Sequence, residues 1–350
     1  MTTIDAEPAQ HAEKGFSELS GLRVVRDLMP TRELTADRGD DGIRLDLVLR
    51  RHLTDLSRAT RTRVQSWIEQ GRVTVNGRAV RRVAARAALG DAIALILPED
   101  VPKAVMTAED VPVSVLFEDD HLIVVDKPAG LVVHPTYKNT AGTLMNALLW
   151  RARDWPAPQR PSLVSRLDKL TSGLIVCART AAAHAALQRA MAARDAEKDY
   201  LAVVYGRVAE RRGDIDLRLA TDPGDRRKVV ASKTVGAESL TRFERLAGVA
   251  APNAGLALLR CRLETGRTHQ IRVHLSARGW PIVGDPAYGE PRHTEIIDPV
   301  LAGTLRAFPR QALHAWRVGF THPVTRERIT VEAPVPPDLA VLLEACGLRP

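Results

Sequence analysis

The chain is poor in the residues that staple, anchor or export a protein. Its 350 residues hold three cysteines, Cys177, Cys261 and Cys346, an odd number at no metal-ligand spacing, which argues against a disulfide framework and a thiolate metal site. A reducing cytoplasm is the expected compartment. No apolar run approaches the roughly 20 residues that a membrane-spanning helix requires, and the first twenty positions are polar and acidic where an export signal is basic and then apolar. Neither membrane insertion nor secretion is expected. No glycine-rich phosphate loop follows a strand pattern, and strands and helices do not alternate regularly, which argues against a doubly wound nucleotide-binding fold. Wholesale disorder is excluded by composition, since 45% of residues are hydrophobic and 26% charged, enough apolar surface to build a core.

What is present in excess is arginine, and in one place. Lysine and arginine total 50 against 42 acids, a formal +8. Residues 43 to 86 alone carry eleven arginines against Asp46, Asp55 and Glu69, again +8, and the rest of the chain balances at 39 of each sign. The charge is therefore a property of one small segment, and it points to an anionic partner.

Residues 1–40 mix acids, proline, glycine and threonine without sustained periodicity and are expected to form a flexible tail. A compact unit follows. Ile43, Leu45, Val48, Leu49 and Leu53 make an apolar stripe at helical spacing; Ser57 is the expected N-cap of a second helix carrying Val64, Trp67 and Ile68, and Gly71 is placed to end it. Val73-Thr74-Val75-Asn76-Gly77-Arg78-Ala79-Val80 is two alternating segments around Asn-Gly, the strongest short hairpin signal. A strand over 92–97 closes the unit at about 55 residues, near the lower size for a lone core. Arg58, Arg61 and Arg63 fall at the start of the second helix, where the macrodipole favours acids. Cations there imply a use other than helix stability, and the arginine fork suits phosphate oxygens. The plainer reading is a solvated basic face.

Ile43-Arg44-Leu45-Asp46, the helix ending at Gly71 and the Val73–Gly77 segment together resemble, over about residues 41–98, the α-L RNA-binding module known from a small-subunit ribosomal protein. The resemblance implies that Arg44, Arg58, Arg61, Arg63, Arg72 and Arg78 contact structured RNA.

Residues 99–112, flanked and punctuated by Pro98, Pro102 and Pro112, read as a linker, and 337–350 as a C-terminal tail. Between them, residues 113–336 show many short apolar strands and few helices, near 143–151, 181–194 and 268–278. The expected class is α+β, with a mixed, largely antiparallel sheet. Its most informative stretch is Ser165-Arg166-Leu167-Asp168-Lys169-Leu170-Thr171-Ser172-Gly173-Leu174-Ile175-Val176. Asp168 would emerge there from a loop over a rigid sheet, either as a reactive carboxylate or as an Asx-turn residue bonded to nearby amides.

Arg-Leu-Asp-x-x-Thr-Ser-Gly resembles the signature of the RluA-type pseudouridine synthases, and four further segments agree in order. These are Val125-Asp126-Lys127-Pro128 through His134-Pro135, Lys198-Asp199-Tyr200, Thr265-Gly266-Arg267-Thr268-His269-Gln270-Ile271-Arg272-Val273-His274 running into Gly284-Asp285-Pro286-Ala287-Tyr288-Gly289, and Leu313-His314-Ala315 with His322-Pro323. By this resemblance Asp168 matches the catalytic aspartate, Tyr200 the tyrosine against the target base, Arg272 the basic partner of the aspartate, and Arg166 an arginine that helps unstack the nucleotide. Thr171 and Ile271 fall in substrate-binding segments. Ser165 and Leu170 depart from the family pattern, where histidine and a polar residue are usual. The resemblance further implies large-subunit ribosomal RNA, or the assembling subunit, as partner to a monomeric enzyme without cofactor or metal.

The chemistry accounts for these residue types. Forming pseudouridine breaks the bond from ribose C1′ to uracil N1 and rejoins C1′ to C5. One ionised carboxylate can serve as nucleophile or base, a guanidinium within about 4 to 6 Å favours its charged form, and burying such a pair calls for further hydrogen-bonded partners. The target must be flipped from its stack, and a tyrosine face can receive it, although Tyr200 also reads as an ordinary core residue. His269, His274 and His314 do not suit a metal, since a spacing of five misses the helical ligand pair and no acid or cysteine completes it. Thr268 reads as an N-cap, and the histidines as structural. The alternatives are a non-catalytic ribosome-assembly factor that binds RNA and a base hydrolase, which would need a second partnered carboxylate to activate water.

Overall fold

The computed structural model describes residues 31–53, 56, 59–97, 106–136, 139–193, 195–250, 255–289 and 292–349. Ser57 and Arg58, residues 1–30 of the expected tail, Pro98 at the end of the expected module and 99–105 of the expected linker lie outside them. The chain divides into two units between Val105 and Met106.

The first unit contains β1 (Thr31–Thr35), α1 (Leu45–His52), α2 (Arg61–Glu69), β2 (Val73–Val75), β3 (Arg78–Val80) and β4 (Ala92–Ile96), with an antiparallel sheet in the order β1-β4-β2-β3. The helices bury Leu45, Val48, Leu49, Val64, Trp67 and Ile68 against Val73, Ile93 and Leu95 of the sheet. Asn76 and Gly77 both take positive φ, 50° and 77°, as a tight hairpin turn matched to strand twist requires. Asp46 ties the helices together from a fully buried position, accepting bonds from Arg44 Nε at 3.0 Å and from Gln65 Nε2 at 2.8 Å.

Three expectations change here. Residues 31–40 belong to the fold, because β1 pairs along β4 from Thr31↔Ile96 to Thr35↔Ala92 and both Ala36 and Asp40 are buried. This edge strand is held by its backbone and mostly exposed, so it leaves little hydrophobic pattern to read. Ile43 is exposed, and the apolar stripe starts at Leu45. The second helix is capped at Thr60 rather than Ser57, without a side-chain bond. Asp37, Asp40 and His52 bring three potential metal-ligand atoms within 4.8 Å of one another, but Arg51 bonds both carboxylates and His52 pairs with Asp40, which compensates the charge internally.

The second unit is built on β5 (Ser114–Glu118), β6 (Leu122–Lys127), β7 (Ser162–Leu163), β8 (Ser172–Ala178), β9 (Glu197–Tyr205), β10 (Arg212–Asp216), β11 (Arg218–Thr221), β12 (Val229–Ser232), β13 (Leu240–Val249), β14 (Leu256–Leu263), β15 (Leu313–Thr321) and β16 (Arg328–Glu332). Its helices are α3 (Leu144–Arg151), α4 (Ala181–Ala192), α5 (Gln270–Ala277), α6 (Pro299–Ala307) and α7 (Pro337–Ala345). Ten strands form one sheet in the order β10-β13-β14-β9-β15-β8-β6-β5, with β16 on β15 and β7 on β8, while β11 and β12 form a separate hairpin. Every pairing is antiparallel except β15 with β8. The α+β class with a mixed, largely antiparallel sheet is therefore observed.

The parallel pairing of β8 with β15 depends on Gly173. Its φ is 110°, and a Cβ added there would lie 2.2 Å from the carbonyl oxygen of Ala315, so no side chain fits the Thr-Ser-Gly turn at this point. Two boundary expectations also change. Residues 106–112 are no free linker, because Asn146 Nδ2 bonds the Thr107 carbonyl at 2.7 Å and the Glu109 carboxylate accepts from Gly142 N at 2.8 Å. Nor is 337–350 a tail: Leu339, Leu342, Leu343, Cys346 and Leu348 enter the main core from α7 and the residues after it.

Two buried histidines stiffen this unit. His274 bonds Thr241 Oγ1 at 3.0 Å and Ser239 Oγ at 2.9 Å, and His314 bonds Ser172 Oγ at 3.0 Å. Burial pushes both rings from 6.5 down to about 4. Both stay neutral in the fold and charge once unfolded, so their contribution is complete above pH 6.5 and is lost as pH falls toward 4. Urea midpoints are expected to drop steadily between pH 6.5 and 4.5, and the drop should flatten in a His274→Gln, His314→Asn variant.

Candidate active site

The strand β8 begins shortly after Asp168, so the loop that carries this carboxylate is fixed at the sheet end. A buried ammonium reinforces it. Lys127 is fully buried and donates to the carbonyls of Pro128 at 2.8 Å, Leu131 at 3.0 Å and Lys169 at 3.1 Å, which satisfies its three donors. Burial and the charge of Arg310 pull its pKa to about 7 against the opposing pull of Asp168 and Asp126.

Asp168 Oδ2 accepts from Arg272 Nη1 at 2.8 Å. Its carboxylate has no bond to a nearby backbone amide among the described residues, so the Asx-turn alternative is set aside. Arg272 lies on α5 and turns its other edge to Asp285, with Nε to Oδ2 at 2.7 Å and Nη2 to Oδ1 at 2.8 Å. Asp285 also accepts from the amides of Ala287 and Tyr288. These are the partners a buried ion pair requires. Burial opposes the charge of Arg272, but the bonds and charge of Asp285 and Asp168 outweigh it and raise its pKa. Asp285 moves the other way: burial raises it, and Arg272 with the two amides brings it below the usual carboxylate range. Both groups are therefore charged at neutral pH.

A cleft of about 600 Å³ opens beside this pair, lined by Arg166, Asp168, Thr171, Lys198, Tyr200, His269, Ile271 and Arg272 among others. A second cavity of about 430 Å³, lined by His134, Arg166, Asp168 and Gln311, meets it at Asp168. The structure thus brings together all six residues singled out for this site. Tyr200 is 8% exposed on β9, and burial and the charge of Asp168 raise its phenol well above 10, so it stays neutral. Arg166 is exposed where the two cavities join. Thr171 is buried, with its hydroxyl bonded to Gln311 Nε2 at 3.0 Å. In the first unit Arg61, Arg63 and Arg78 are exposed and Arg72 is half-buried beside Gln70. Arg44 differs, because its guanidinium is engaged by Asp46 through Nε and Nη2.

Other residues at the site carry no role that the sequence alone assigns. Thr268 does not cap α5. His269 occupies that position with a left-handed φ of 55° and makes no capping bond. Its ring is 3.8 Å from Asp168, Nε2 to Oδ1, so one histidine expected to be structural faces the carboxylate. Asp285 and Tyr288 come from the Gly-Asp-Pro-Ala-Tyr-Gly segment, whose acid before proline is the available signal. Lys198 shares the cleft-facing side of β9 with Tyr200, two residues along, and burial lowers its pKa.

Known proteins resemble this chain in sequence and in fold. The model of the family described as RNA pseudouridylate synthase matches residues 121–277, which include Asp168, Tyr200 and Arg272. A Nitrosomonas europaea protein named ribosomal large subunit pseudouridine synthase D is 41% identical over 90% of this chain and 88% of its own. A Xanthomonas campestris protein of the same name is 42% identical over 87% and 89%. Among solved structures, human RNA pseudouridylate synthase domain containing 1 superposes with a TM-score of 0.50 at 27% identity, covering 65% of this chain and 86% of that one. The human domain containing 4 protein shares the fold, with a TM-score of 0.53 at 23% identity over 67% and 94%. Identity of about 40% to such relatives along nearly the whole chain, with the family match spanning Asp168, Tyr200 and Arg272, places the protein in the RNA pseudouridylate synthase family of isomerases.

Proposed function

We propose that the chain converts uridines of large-subunit ribosomal RNA to pseudouridine, with Asp168 as the reacting acid. The observation that carries the reading is a carboxylate with one oxygen fixed by Arg272, in a cleft that also presents the Tyr200 ring. The names of the bacterial relatives support the choice of RNA.

In this reading the target uridine leaves its stack, at a cost of a few kcal/mol, and Arg166 at the mouth assists it. Its base then lies against Tyr200, a contact worth roughly 1 to 3 kcal/mol. Asp168 acts as nucleophile or base while the N1–C1′ bond breaks and the C5–C1′ bond forms. The proton on C5 departs and N1 gains one, so the reaction balances without cofactor, metal or redox partner. Ile271 and Thr171 shape the wall. The enzyme is read as a cytoplasmic monomer, and no described helix is long and apolar enough to cross a membrane. Incubation with unmodified large-subunit ribosomal RNA, followed by pseudouridine mapping, is expected to show site-specific conversion. Tight binding without any converted uridine would favour the assembly-factor alternative.

The first unit is read as an RNA-capture module of the α-L type. Arg61, Arg63, Arg72 and Arg78 supply its phosphate contacts together with Arg58, and Arg44 contributes less because Asp46 holds it. Replacing Arg58, Arg61 and Arg63 with glutamine is expected to weaken RNA binding. It should also flatten the plot of log affinity against log salt by about 0.7 to 0.9 for each phosphate left without its arginine. Filter-binding titrations at several salt concentrations measure both, and an unchanged slope would refute the assignment.

A further inference from the structure

The environment of His269 exceeds what a structural histidine requires. The Tyr288 hydroxyl accepts the amide proton of Val229, the first residue of β12, at 2.9 Å and lies 2.7 Å from His269 Nδ1. With its oxygen receiving the amide, the hydroxyl has its own proton to donate, and Nδ1 lies within reach to accept it. A neutral imidazole that accepts at Nδ1 carries its proton on Nε2. That nitrogen is 3.8 Å from Asp168 Oδ1, the oxygen that Arg272 does not hold. The Tyr288 ring is itself fixed, edge-on to His269 at 5.5 Å and beneath the Arg272 guanidinium at 5.0 Å.

We infer that His269 is a positioning residue for the reacting carboxylate: held in one tautomer by Tyr288, it directs an N–H at Asp168 Oδ1 while Arg272 holds Oδ2. The inference rests on the reading of Asp168 as the reacting acid. Its present separation is too long for a hydrogen bond, and an approach of about 1 Å completes one, as happens when catalytic contacts tighten on substrate. Two fixed donors on different oxygens set the plane of the carboxylate, and each oxygen keeps a lone-pair site for chemistry. Burial lowers the pKa of His269 despite the opposing charges of Asp168 and Asp285, with Arg272 and Arg166 acting alongside burial. The ring therefore approaches Asp168 as a neutral donor that leaves the charge of the carboxylate in place. The left-handed backbone at 269 is also one that asparagine tolerates and most residues do not.

That tolerance provides the test. In His269→Asn the backbone conformation and an acceptor for Tyr288 remain, but the shorter side chain cannot reach Asp168. Tyr288→Phe keeps the ring packing and removes only the oxygen. Turnover is followed as tritium released from large-subunit ribosomal RNA labelled at C5 of uridine, under single-turnover conditions, and RNA affinity and melting temperature are measured in parallel. Each variant is expected to lose between about ten- and a hundredfold in rate with parental affinity and melting, and the double variant to fall no further than the slower single one. Imidazole 15N spectra of the free protein should show His269 protonated on Nε2, with mixed tautomers in Tyr288→Phe. Parental rates in His269→Asn, fully additive losses, or an Nδ1-protonated ring in the parent would each overturn the inference. An active Asp168→Asn protein would instead remove the reading of Asp168 and this inference with it.

Discussion

An Asp168→Asn protein is expected to fold and to bind RNA as the parent does, yet to release no measurable tritium from RNA labelled at C5 of uridine. The substitution is nearly isosteric, and its amide oxygen can still accept the Arg272 Nη1 proton now found at 2.8 Å. The side chain is 23% exposed, so water covers part of the lost charge and the cost to stability is small. What disappears is the carboxylate itself, the only group at this position able to attack carbon or take a proton. The loss should be on the order of a thousandfold or more, as for other residues that act directly on the reacting atoms. Urea melting and filter binding check the first two expectations and tritium release the third. Robust pseudouridine from this variant would sink the assignment. Free uracil from the parent would point to hydrolysis; the second carboxylate tied to this site, Asp285, is fully buried with both oxygens held by Arg272.

Arg272→Leu is expected to do damage of a different kind. Arg272 is 6% exposed and bridges two acids, one of them the fully buried Asp285 side chain. Removing the guanidinium leaves Asp285 charged with only the amides of Ala287 and Tyr288 as partners. Breaking one side of a buried pair costs about 3 to 5 kcal/mol, so the urea midpoint should fall sharply and activity vanish. Adding Asp285→Asn removes the stranded charge. The Arg272→Leu, Asp285→Asn protein should therefore recover much of the lost stability while remaining inactive, because Asp168 still lacks the donor that fixes Oδ2. Equal stability of the single and double variants would show that the buried charge is not what Arg272 compensates.

How much of the molecule is legible in its sequence depends on how local each signal is. The Asn-Gly hairpin, the end of α2 at Gly71 and the Thr-Ser-Gly entry to β8 are short-range backbone requirements, and they appear where expected. Asp168, Tyr200 and Arg272 are recognisable through ordered motifs. Their proximity is a long-range fact, since Asp168 and Arg272 are 104 residues apart, and no local pattern encodes it. The misses have the same character. β1 is recognised by its pairing with β4, and its burial pattern is almost uniformly exposed. In α7 a legible leucine repeat is overshadowed by its terminal position and the prolines before it. His269 reads as part of a helix start, and only the folded chain shows that its ring lies between Tyr288 and Asp168.

The parallel contact of β15 with β8 has a consequence for how the cleft comes into being. β8 and β9 are consecutive strands joined through α4, yet they are not neighbours in the sheet, because β15 lies between them. That wedge comes from more than a hundred residues later in the chain. It aligns His314 with Ser172 on one side and Leu313 with Ala202 on the other. Until it inserts, the strand that follows Asp168 and the strand that carries Tyr200 each expose an unpaired edge. Closing such a distant pairing is a slow event in folding. A nascent chain emerging from its amino end therefore has every side chain of the acid–arginine array before it has a cleft, and competence to modify RNA arrives late, in one step, when Leu313–Thr321 joins the two half-sheets.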